Sequence, residues 1–175
     1  MVRKSIRQGN KVYAKEKYTE AEIAYLKALE ADPASKEANY NLGNALFKQE
    51  KTKEAFEKYQ LALSKETDPL KKASILHNAG NSLMAMNDYA KAVNLYKSAL
   101  KLNPSDDETR YNLAVAQALL QKQQQEQQKD KEDKKDEEKQ EQQDKEQQQQ
   151  QQQQDDQQKQ QQKQQQQQQQ DAEEQ

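Results

Sequence analysis

Hydrophobic residues recur every three or four positions through residues 2–120, which is the spacing of one face of an α-helix. Short polar stretches interrupt this pattern at regular intervals, so it predicts helices joined in pairs by tight turns. No run alternates hydrophobic and polar residues in the manner of a strand, and the fold class is therefore all-α. The helices are predicted at 2–15, 19–31, 36–49, 53–66, 70–86, 89–102 and from 106 onward.

Glycine and proline occur only three times each, and both recur at nearly constant spacing. The glycines are separated by 34 and 37 residues and the prolines by 36 and 35. Each glycine is followed by Asn, then by Ala after twelve residues, Tyr after sixteen and Ala after nineteen. Five matched columns in three copies indicate an internal repeat. These are the glycine column (Gly9, Gly43, Gly80), the first asparagine column (Asn10, Asn44, Asn81), the tyrosine column (Tyr25, Tyr59, Tyr96) and two alanine columns (Ala21, Ala55, Ala92; Ala28, Ala62, Ala99).

This pattern resembles the tetratricopeptide repeat (TPR), a helix-turn-helix unit of about 34 residues that stacks into an α-solenoid. Small residues at the glycine and alanine columns let the two helices of one unit approach closely. The consensus tryptophan is replaced by Ser5, Asn39 and Leu76. We expect three repeats within 2–104, at about 2–35, 36–72 and 73–106, then a capping helix at 105–122 whose apolar face holds Leu113, Ala114, Ala116 and Leu120.

Three sequence pairs indicate helix starts. Two match the S/T-x-x-E capping box, and the third places proline at the first helical position. The junction between the second and third repeats holds three extra residues, so a longer helix or loop is expected at 64–72. The predicted starts are Thr19 with Glu22, Ser105 with Glu108, and Asp68 before Pro69.

Residues 123–175 are a low-complexity tail of Gln, Lys and Glu. Over 121–175, 30 of the 55 residues are Gln and the only apolar residue is Ala172. The tail has no apolar heptad for a coiled coil, and a helix that is polar all round gains nothing from packing. Gln, Lys and Glu are fair helix formers, so we expect the last helix to extend past Leu120 with frayed ends. Beyond about residue 130 we expect a disordered, solvated tether, with a Gln-driven assembly segment as the alternative.

Charge and composition exclude several classes of function. Residues 1–120 carry 19 basic and 15 acidic residues and residues 121–175 carry 9 and 15, so a thin positive charge precedes an acidic tail that would repel nucleic acid. The absence of Cys and the single His77 argue against disulfides and zinc sites. No apolar run approaches the roughly 18 residues of a membrane span, and no signal peptide follows Met1. Without a catalytic motif, we expect a non-enzymatic protein with no cofactor or metal.

The TPR resemblance implies a peptide-binding groove, because the first helix of each TPR pair lines the concave surface. Asparagine amides can hold an extended backbone, while aromatic and methionine side chains grip apolar residues. The alternative is that these asparagines are consensus residues that bond neighbouring helices, and that His77 is an ordinary lining residue. The candidate groove residues are Asn10, Tyr13, Tyr40, Asn41, Asn44, Phe47, His77, Asn78, Asn81, Met84, Tyr111 and Asn112.

TPR domains of co-chaperones bind the C-terminal carboxylate of heat-shock chaperones through two Lys, one Arg and two Asn. The matching columns of this chain retain both asparagines, at Asn10 and Asn41. Ile6, Ser74 and Asn78 stand where the three cations belong. A bound carboxylate would lack its strongest partners, so this clamp is not expected.

The chain is also similar, over nearly its whole length, to the TPR proteins of bacterial aerotolerance (Bat-type) operons. The similarity lies in segments such as NYNLGNALFKQ and HNAGNSLM, followed by the Gln-Lys-Glu tail. It implies a scaffold in a cell-envelope or periplasmic complex that serves stress response, beside membrane-anchored proteins with von Willebrand factor A domains. If the chain as given is complete, we expect instead a cytoplasmic, co-chaperone-like adaptor.

Overall fold

The computed structural model describes the backbone of residues 1–173 and their side chains, except those of 155–157, 160–161 and 164–173. Over residues 1–173 the chain forms seven helices and no strand, which confirms the all-α prediction. Every predicted boundary that the structure tests lies within two residues of the observed one. The helices are α1 (Val2–Tyr13), α2 (Tyr18–Ala31), α3 (Lys36–Lys48), α4 (Thr52–Lys65), α5 (Pro69–Ala85), α6 (Tyr89–Leu102) and α7 (Asp107–Glu173).

The chain divides into two compact units, Met1–Gln123 and Gln124–Gln175. The first unit contains three antiparallel helix pairs, α1–α2, α3–α4 and α5–α6, followed by the beginning of α7. The pairs stack in chain order, because α2 packs on α3 and α4 packs on α5. This arrangement is the three-repeat solenoid that the glycine column predicts.

Close packing within each pair depends on the glycine and tyrosine columns. The ring of Tyr59 lies directly on Gly43, where an added Cβ would be 2.6 Å from Tyr59 Cε1. The same distance at Gly80 is 2.5 Å to Tyr96. Both tyrosines are 1% exposed and belong to packed core clusters, so neither ring can shift without disturbing its neighbours. The two helices can therefore approach this closely only with glycine at this position.

The start of α7 covers the third repeat. Leu113, Ala116 and Leu120 pack against a cluster that includes Leu83 and Tyr96. Ala114, which we also expected on this face, is exposed. The apolar face predicted for the capping helix is therefore confirmed at three of its four positions.

The junction between the second and third repeats has the longer helix that its extra residues predict. Helix α5 has 17 residues, whereas α3 has 13. The predicted start of α5 is also confirmed, since the Asp68 carboxylate accepts a hydrogen bond from the Lys71 N–H at 2.9 Å and Pro69 occupies the first turn. Asp68 thereby satisfies one of the amide groups that a helix start leaves without an intrahelical partner.

The two predicted capping boxes are wrong. Thr19 lies inside α2, and its hydroxyl donates to Gln49 Oε1 at 3.3 Å instead of capping the helix. Ser105 precedes the true cap of α7, which is Asp106. The Asp106 carboxylate accepts from the N–H of Thr109 at 3.0 Å and from its hydroxyl at 2.6 Å. A helix start needs the side chain to face the free N–H groups, which the four-residue pattern alone does not establish.

Glu66 ties the junction between the second and third repeats to the start of α3. Its residue is 7% exposed, and its Oε1 accepts hydrogen bonds from Lys36 Nζ at 2.7 Å, the Thr67 N–H at 2.8 Å and the Asp68 N–H at 3.0 Å. The Lys36 hydrogen bond and these amide donors lower the pKa of Glu66 from 4.5 to about 2. The ionised form is therefore stabilised by folding.

We expect Glu66→Gln to lower the free energy of unfolding near pH 7 by about 1.5–3 kcal/mol, the range for hydrogen bonds to a charged group. Because the folded pKa lies below the unfolded one, the contribution of the charge is complete above pH 4.5 and is lost as the pH falls toward about 2. Urea unfolding of both proteins between neutral and acidic pH should show the difference shrinking over that window. The control is Glu57→Gln, at an exposed position of α4. A difference that stays constant with pH would contradict the assignment.

The second unit is helical where we expected disorder. Helix α7 continues to Glu173, and the last two residues of the predicted tail, 174–175, lie outside the described residues. Neither Gly nor Pro interrupts the sequence after Pro104, and Gln, Lys and Glu are good helix formers. Pairs such as Lys139–Asp136 at 3.5 Å and Lys145–Glu141 at 4.0 Å add a few tenths of a kcal/mol each. Every described side chain of this unit is exposed.

We expect the tail to add nothing to the stability of the repeats, because 54 of the 55 apolar residues lie in positions 1–120. Thermal unfolding of the full chain and of a 1–122 truncation should have the same midpoint. A peptide of residues 124–175 should lose helical signal gradually on heating, since a helix without tertiary packing melts with little cooperativity. A drop of several degrees in the midpoint on truncation would show that the tail supports the repeats.

Candidate functional site

A row of side-chain hydrogen bonds, the asparagine ladder, runs along the inner helices α1, α3, α5 and α7. In each step, a tyrosine-column hydroxyl and the amide of an asparagine on the next inner helix both donate to one oxygen of the first asparagine column. In the middle step, Tyr59 Oη lies 2.8 Å and Asn78 Nδ2 lies 3.0 Å from Asn44 Oδ1. The flanking steps are Tyr25 and Asn41 on Asn10, at 2.8 and 3.1 Å, and Tyr96 and Asn112 on Asn81, at 2.6 and 3.0 Å.

Burial keeps the tyrosine hydroxyls of this ladder protonated. Desolvation is the first cause of the raised pKa of Tyr25, which reaches about 12, and it raises the pKa values of Tyr59 and Tyr96 further. A neutral hydroxyl can donate to the asparagine oxygen, whereas a phenolate could not. Burial therefore keeps these donors protonated at alkaline pH values at which an exposed tyrosine, with a pKa of about 10, would ionise.

The ladder divides the atoms of the first asparagine column between two tasks. Each Oδ1 accepts two hydrogen bonds, which use both of its lone pairs for structure. In the described part of the chain, no group accepts a hydrogen bond from Nδ2 of Asn10, Asn44 or Asn81. The same side chain thus bonds its neighbours through oxygen and leaves an oriented N–H donor on the inner surface. The alternative that these asparagines bond neighbouring helices is confirmed for the oxygens.

A cavity of about 410 Å³ opens on this inner surface between the first three inner helices and the start of α7. One part of its wall consists of aromatic rings. A second part consists of amides, a hydroxyl and an imidazole, and a third consists of charged groups. The lining residues are Tyr13, Tyr40, Phe47 and Tyr59; Asn44, Asn78, Asn81, Ser74 and His77; and Lys48, Asp106 and Glu108. We call this cavity and the adjoining inner surface the concave groove.

The concave groove brings together seven of the twelve candidate residues and leaves five outside the cavity. Met84 packs against the cluster under the cap, and Tyr111 projects into solvent with 70% of its surface exposed. Asn112 takes part in the last ladder step and Asn10 and Asn41 in the first. The seven that line the cavity are Tyr13, Tyr40, Asn44, Phe47, His77, Asn78 and Asn81, and their binding of a peptide stays a prediction.

His77 joins the cavity wall to the cap. The residue is 8% exposed, and its Nδ1 lies 2.6 Å from Thr109 Oγ1. Because the Thr109 hydroxyl donates to Asp106, the histidine nitrogen donates to Thr109. Its Nε2 lies 3.5 Å from Glu108 Oε1 at the mouth of the cavity. This chain of contacts holds the start of α7 against α5, so His77 has a docking role besides its place in the wall.

Sequence reasoning missed five lining residues. Tyr59, a residue of the buried tyrosine column, also lines the cavity. Lys48 follows Phe47 on the inner helix, and Ser74 lies three residues before His77, so helical spacing could have identified both. Asp106 and Glu108 could have been found by extending the repeat alignment into the capping helix, where Glu108 falls in the column of Ser74.

The three clamp columns are unsuited to holding a carboxylate. Ile6 is 4% exposed and belongs to the core. The Asn78 amide is already engaged, because its Nδ2 donates to Tyr40 Oη and to Asn44 Oδ1, each at 3.0 Å. Ser74 is exposed but carries no charge. The geometry therefore agrees with the expectation that this clamp is absent.

Comparison with known proteins identifies the repeats. Residues 6–70 match the family model described as Tetratricopeptide repeat, and residues 80–121 match one described as TPR repeat. The chain carries tetratricopeptide repeats. The two matched ranges contain the whole glycine column, and the stacking of the helix pairs is that of a TPR solenoid. No helix within residues 1–173 is long and apolar enough to cross a bilayer.

Two relatives in sequence and one solved structure have similar repeats. Photosystem I assembly protein Ycf3 of Synechococcus elongatus is 32% identical over 115 residues, which cover 65% of this chain and 66% of that protein. Protein STIP1 homolog of Dictyostelium discoideum is 32% identical over 105 residues, 58% of this chain and 19% of that one. The first TPR of Spaghetti (RPAP3), solved with an HSP90 peptide, has a TM-score of 0.64 at 24% identity, covers 68% of this chain and 92% of its own, and shares the fold.

Proposed function

We propose that this protein is a non-enzymatic interaction scaffold whose concave groove binds an extended segment of a partner protein. The observation that carries the proposal is the row of amide donors at Asn10, Asn44 and Asn81. The asparagine ladder fixes each of them, and within the described chain none has an acceptor. Oriented donors at intervals of one repeat suit the carbonyl groups of an extended backbone. Solved TPR domains that hold HSP90 peptides support this use of the fold.

The walls of the groove favour particular peptide side chains. Tyr13, Tyr40 and Phe47 offer aromatic surface to apolar or cationic residues of a partner. Lys48 is the only Lys or Arg among the twelve lining residues, whereas Asp106 and Glu108 are acidic. An acidic C-terminal peptide would therefore meet repulsion instead of the cationic clamp. A neutral or basic segment fits the groove better.

The wider setting is also part of the proposal. The Bat-type resemblance supports a scaffold in a cell-envelope complex with von Willebrand factor A-domain proteins, and the relative named as a photosystem I assembly protein supports a role in assembling a complex. The solved TPR complexes with HSP90 favour a co-chaperone-like adaptor, but the missing clamp cations weigh against it. Assembly through the Gln-rich tail is the weaker alternative, because that segment offers almost no apolar surface.

The test converts groove donors into acceptors without disturbing the ladder. Asn44→Asp with Asn81→Asp keeps the two oxygens that accept from tyrosine and replaces only the amide nitrogens. Peptides of twelve residues would be selected on the wild-type protein from a phage-displayed library and their affinities measured by fluorescence anisotropy. Two donors at about 0.5–1.5 kcal/mol each predict an affinity roughly 5- to 150-fold weaker.

The matched control carries the same two charge changes on the outer helices, as Gln60→Glu with Asn94→Asp. Both positions are exposed, so the control should bind selected peptides like the wild type. Circular dichroism would verify that both variants are folded. Equal affinities for the groove variant and the wild type would contradict the proposal that the concave groove binds the peptide. Binding lost only on deletion of 124–175 would transfer the function to the tail.

A further inference from the structure

The inner helix of the first repeat, α1, has a polar face where the inner helices of the second and third repeats have a buried, mostly apolar one. Three columns of the repeat form this face. They lie five residues before the glycine, one residue before it and two residues after it. In the later repeats these columns are small or apolar and at most 3% exposed, because the preceding helix pair packs on them. The buried residues are Ala38, Leu42 and Ala45, then Ile75, Ala79 and Ser82; the first repeat has exposed Lys4, Gln8 and Lys11.

In helix α2 the difference is reversed: the first repeat has apolar residues where the later repeats have polar ones. Ile23 is 51% exposed and Leu26 is 41% exposed. The columns of these two residues hold only polar residues in the later repeats. These residues are Glu57 and Gln60 in α4 and Asn94 and Lys97 in α6. The first repeat therefore presents apolar side chains beside lysines, a combination that neither a packed core nor an ordinary solvated face requires.

An open groove of about 930 Å³ between α1 and α2 is lined by Lys4, Gln8, Lys11 and Ile23, among others, and we call it the basic end groove. Four of its ten lining residues are cations, namely Lys4, Arg7, Lys11 and Lys27. None of the four has an ion-pair partner among the residues that the structure describes. The single acidic residue, Glu20, is paired with Lys17 at 2.9 Å. Apolar atoms of Val12, Ile23 and Ala24 also line the groove.

We propose that the basic end groove docks an acidic amphipathic helix of a partner protein. The equivalent faces of α3 and α5 are each covered by a helix, α2 and α4 respectively, so the shape of this face suits a helix. The charge argument is that four unpaired cations would complement glutamate or aspartate on the polar face of that helix. The apolar stripe of the helix would cover Val12 and Ile23. This surface is distinct from the concave groove.

Other occupants fit the basic end groove less well. A second copy of the chain that docked through the same surface would bring the same cations against one another. The Gln-rich tail is acidic but has Ala172 as its only apolar residue, so it could not cover Ile23. Nucleic acid or an anionic bilayer would satisfy the lysines, but neither makes use of a helix-shaped groove with an apolar floor.

The test uses two fluorescein-labelled, 18-residue helical peptides with the same Leu/Ala stripe, one with glutamate on its polar face and the other with lysine. The acidic peptide should bind the full chain, and amide shifts in ¹⁵N NMR spectra should change in α1 and α2. Lys4→Glu with Lys11→Glu should weaken this binding about tenfold or more, because it reverses half of the cations in the groove. Lys53→Glu with Lys97→Glu, also on exposed lysines, should leave it unchanged.

Several results would overturn the proposal. One is equal binding of the two peptides, and another is no binding of the acidic peptide by the folded wild type. Shift changes confined to Asn44, Asn81 and their neighbours would assign the acidic peptide to the concave groove. Stronger binding to phosphatidylglycerol vesicles or to duplex DNA, lost in the same double variant, would reassign the cations to a membrane or nucleic-acid surface.

Discussion

Tyr59→Ala is expected to lower the free energy of unfolding by about 3–5 kcal/mol, the cost of removing a large aromatic side chain from a packed core. Tyr59 is 1% exposed and belongs to a core cluster that contains residues of all three repeats. Its ring fills the space over Gly43 and contacts the ring of Tyr40, with the centroids 6.0 Å apart. Urea unfolding of the full chain measures the loss.

The comparison with Tyr59→Phe separates the ring from the hydroxyl. Phenylalanine keeps the packing and removes only the hydrogen bond to Asn44 Oδ1, so the expected loss is about 0.5–1.5 kcal/mol. If both variants lost the same free energy, the hydroxyl and not the ring would hold this part of the core. If neither lost more than about 0.5 kcal/mol, the site would behave like an ordinary surface position.

Gly43→Ala is expected to destabilise the fold by about 1–3 kcal/mol, the range for overpacking a core. An exposed helical glycine changed to alanine would instead gain up to about 1 kcal/mol of helix propensity. The sign is reversed here because the new Cβ would lie 2.6 Å from Cε1 and 2.8 Å from Cδ1 of the Tyr59 ring. That ring is 1% exposed and packs within a core cluster, so moving it aside would disturb its neighbours.

A double-mutant cycle with Tyr59→Leu tests the cause of this reversal. Leucine has no Cε1 or Cζ and no rigid ring, so Gly43→Ala should cost clearly less in the Tyr59→Leu background than in the wild type. Chemical unfolding of the four proteins gives the coupling free energy. Strict additivity, or a Gly43→Ala protein more stable than the wild type, would mean that the helices separate easily and that the close approach contributes little.

The helix pairing could be predicted because the same pair of contacting residues recurs three times in the sequence. A glycine and a tyrosine sixteen residues later, as in Gly43 and Tyr59, fix the register of two helices once the period is recognised. The turns could not be predicted in the same way. Glu16, Glu50 and Asn87, each seven residues after the glycine, have φ of 59°, 63° and 59°. Only Asn87 is a residue type enriched in that left-handed region, so composition gave no indication of these turns.

The concave groove was predictable as a set of columns but not atom by atom. Spacing placed Asn44 and Asn78 on one surface, yet it could not show that the Asn78 amide donates to both Tyr40 and Asn44. Removing Asn78 would therefore disturb the fold as well as the groove. The tail was misjudged for a different reason. Its lack of apolar residues predicts disorder, whereas the helix propensity of Gln, Lys and Glu predicts the helix that α7 forms as far as Glu173.

The asparagine ladder also determines how the repeats unfold. The first two steps each join two neighbouring repeats, so opening the later repeat of a pair leaves the Asn10 or Asn44 oxygen of the earlier one short of a partner. In a nearest-neighbour description, this adds to the coupling between repeats and not to the intrinsic stability of any one of them. Strong coupling makes partly opened arrays rare, and amide exchange in α3 and α5 should then report one shared opening free energy. A partner that grips the inner surface of one repeat would thereby restrain all three.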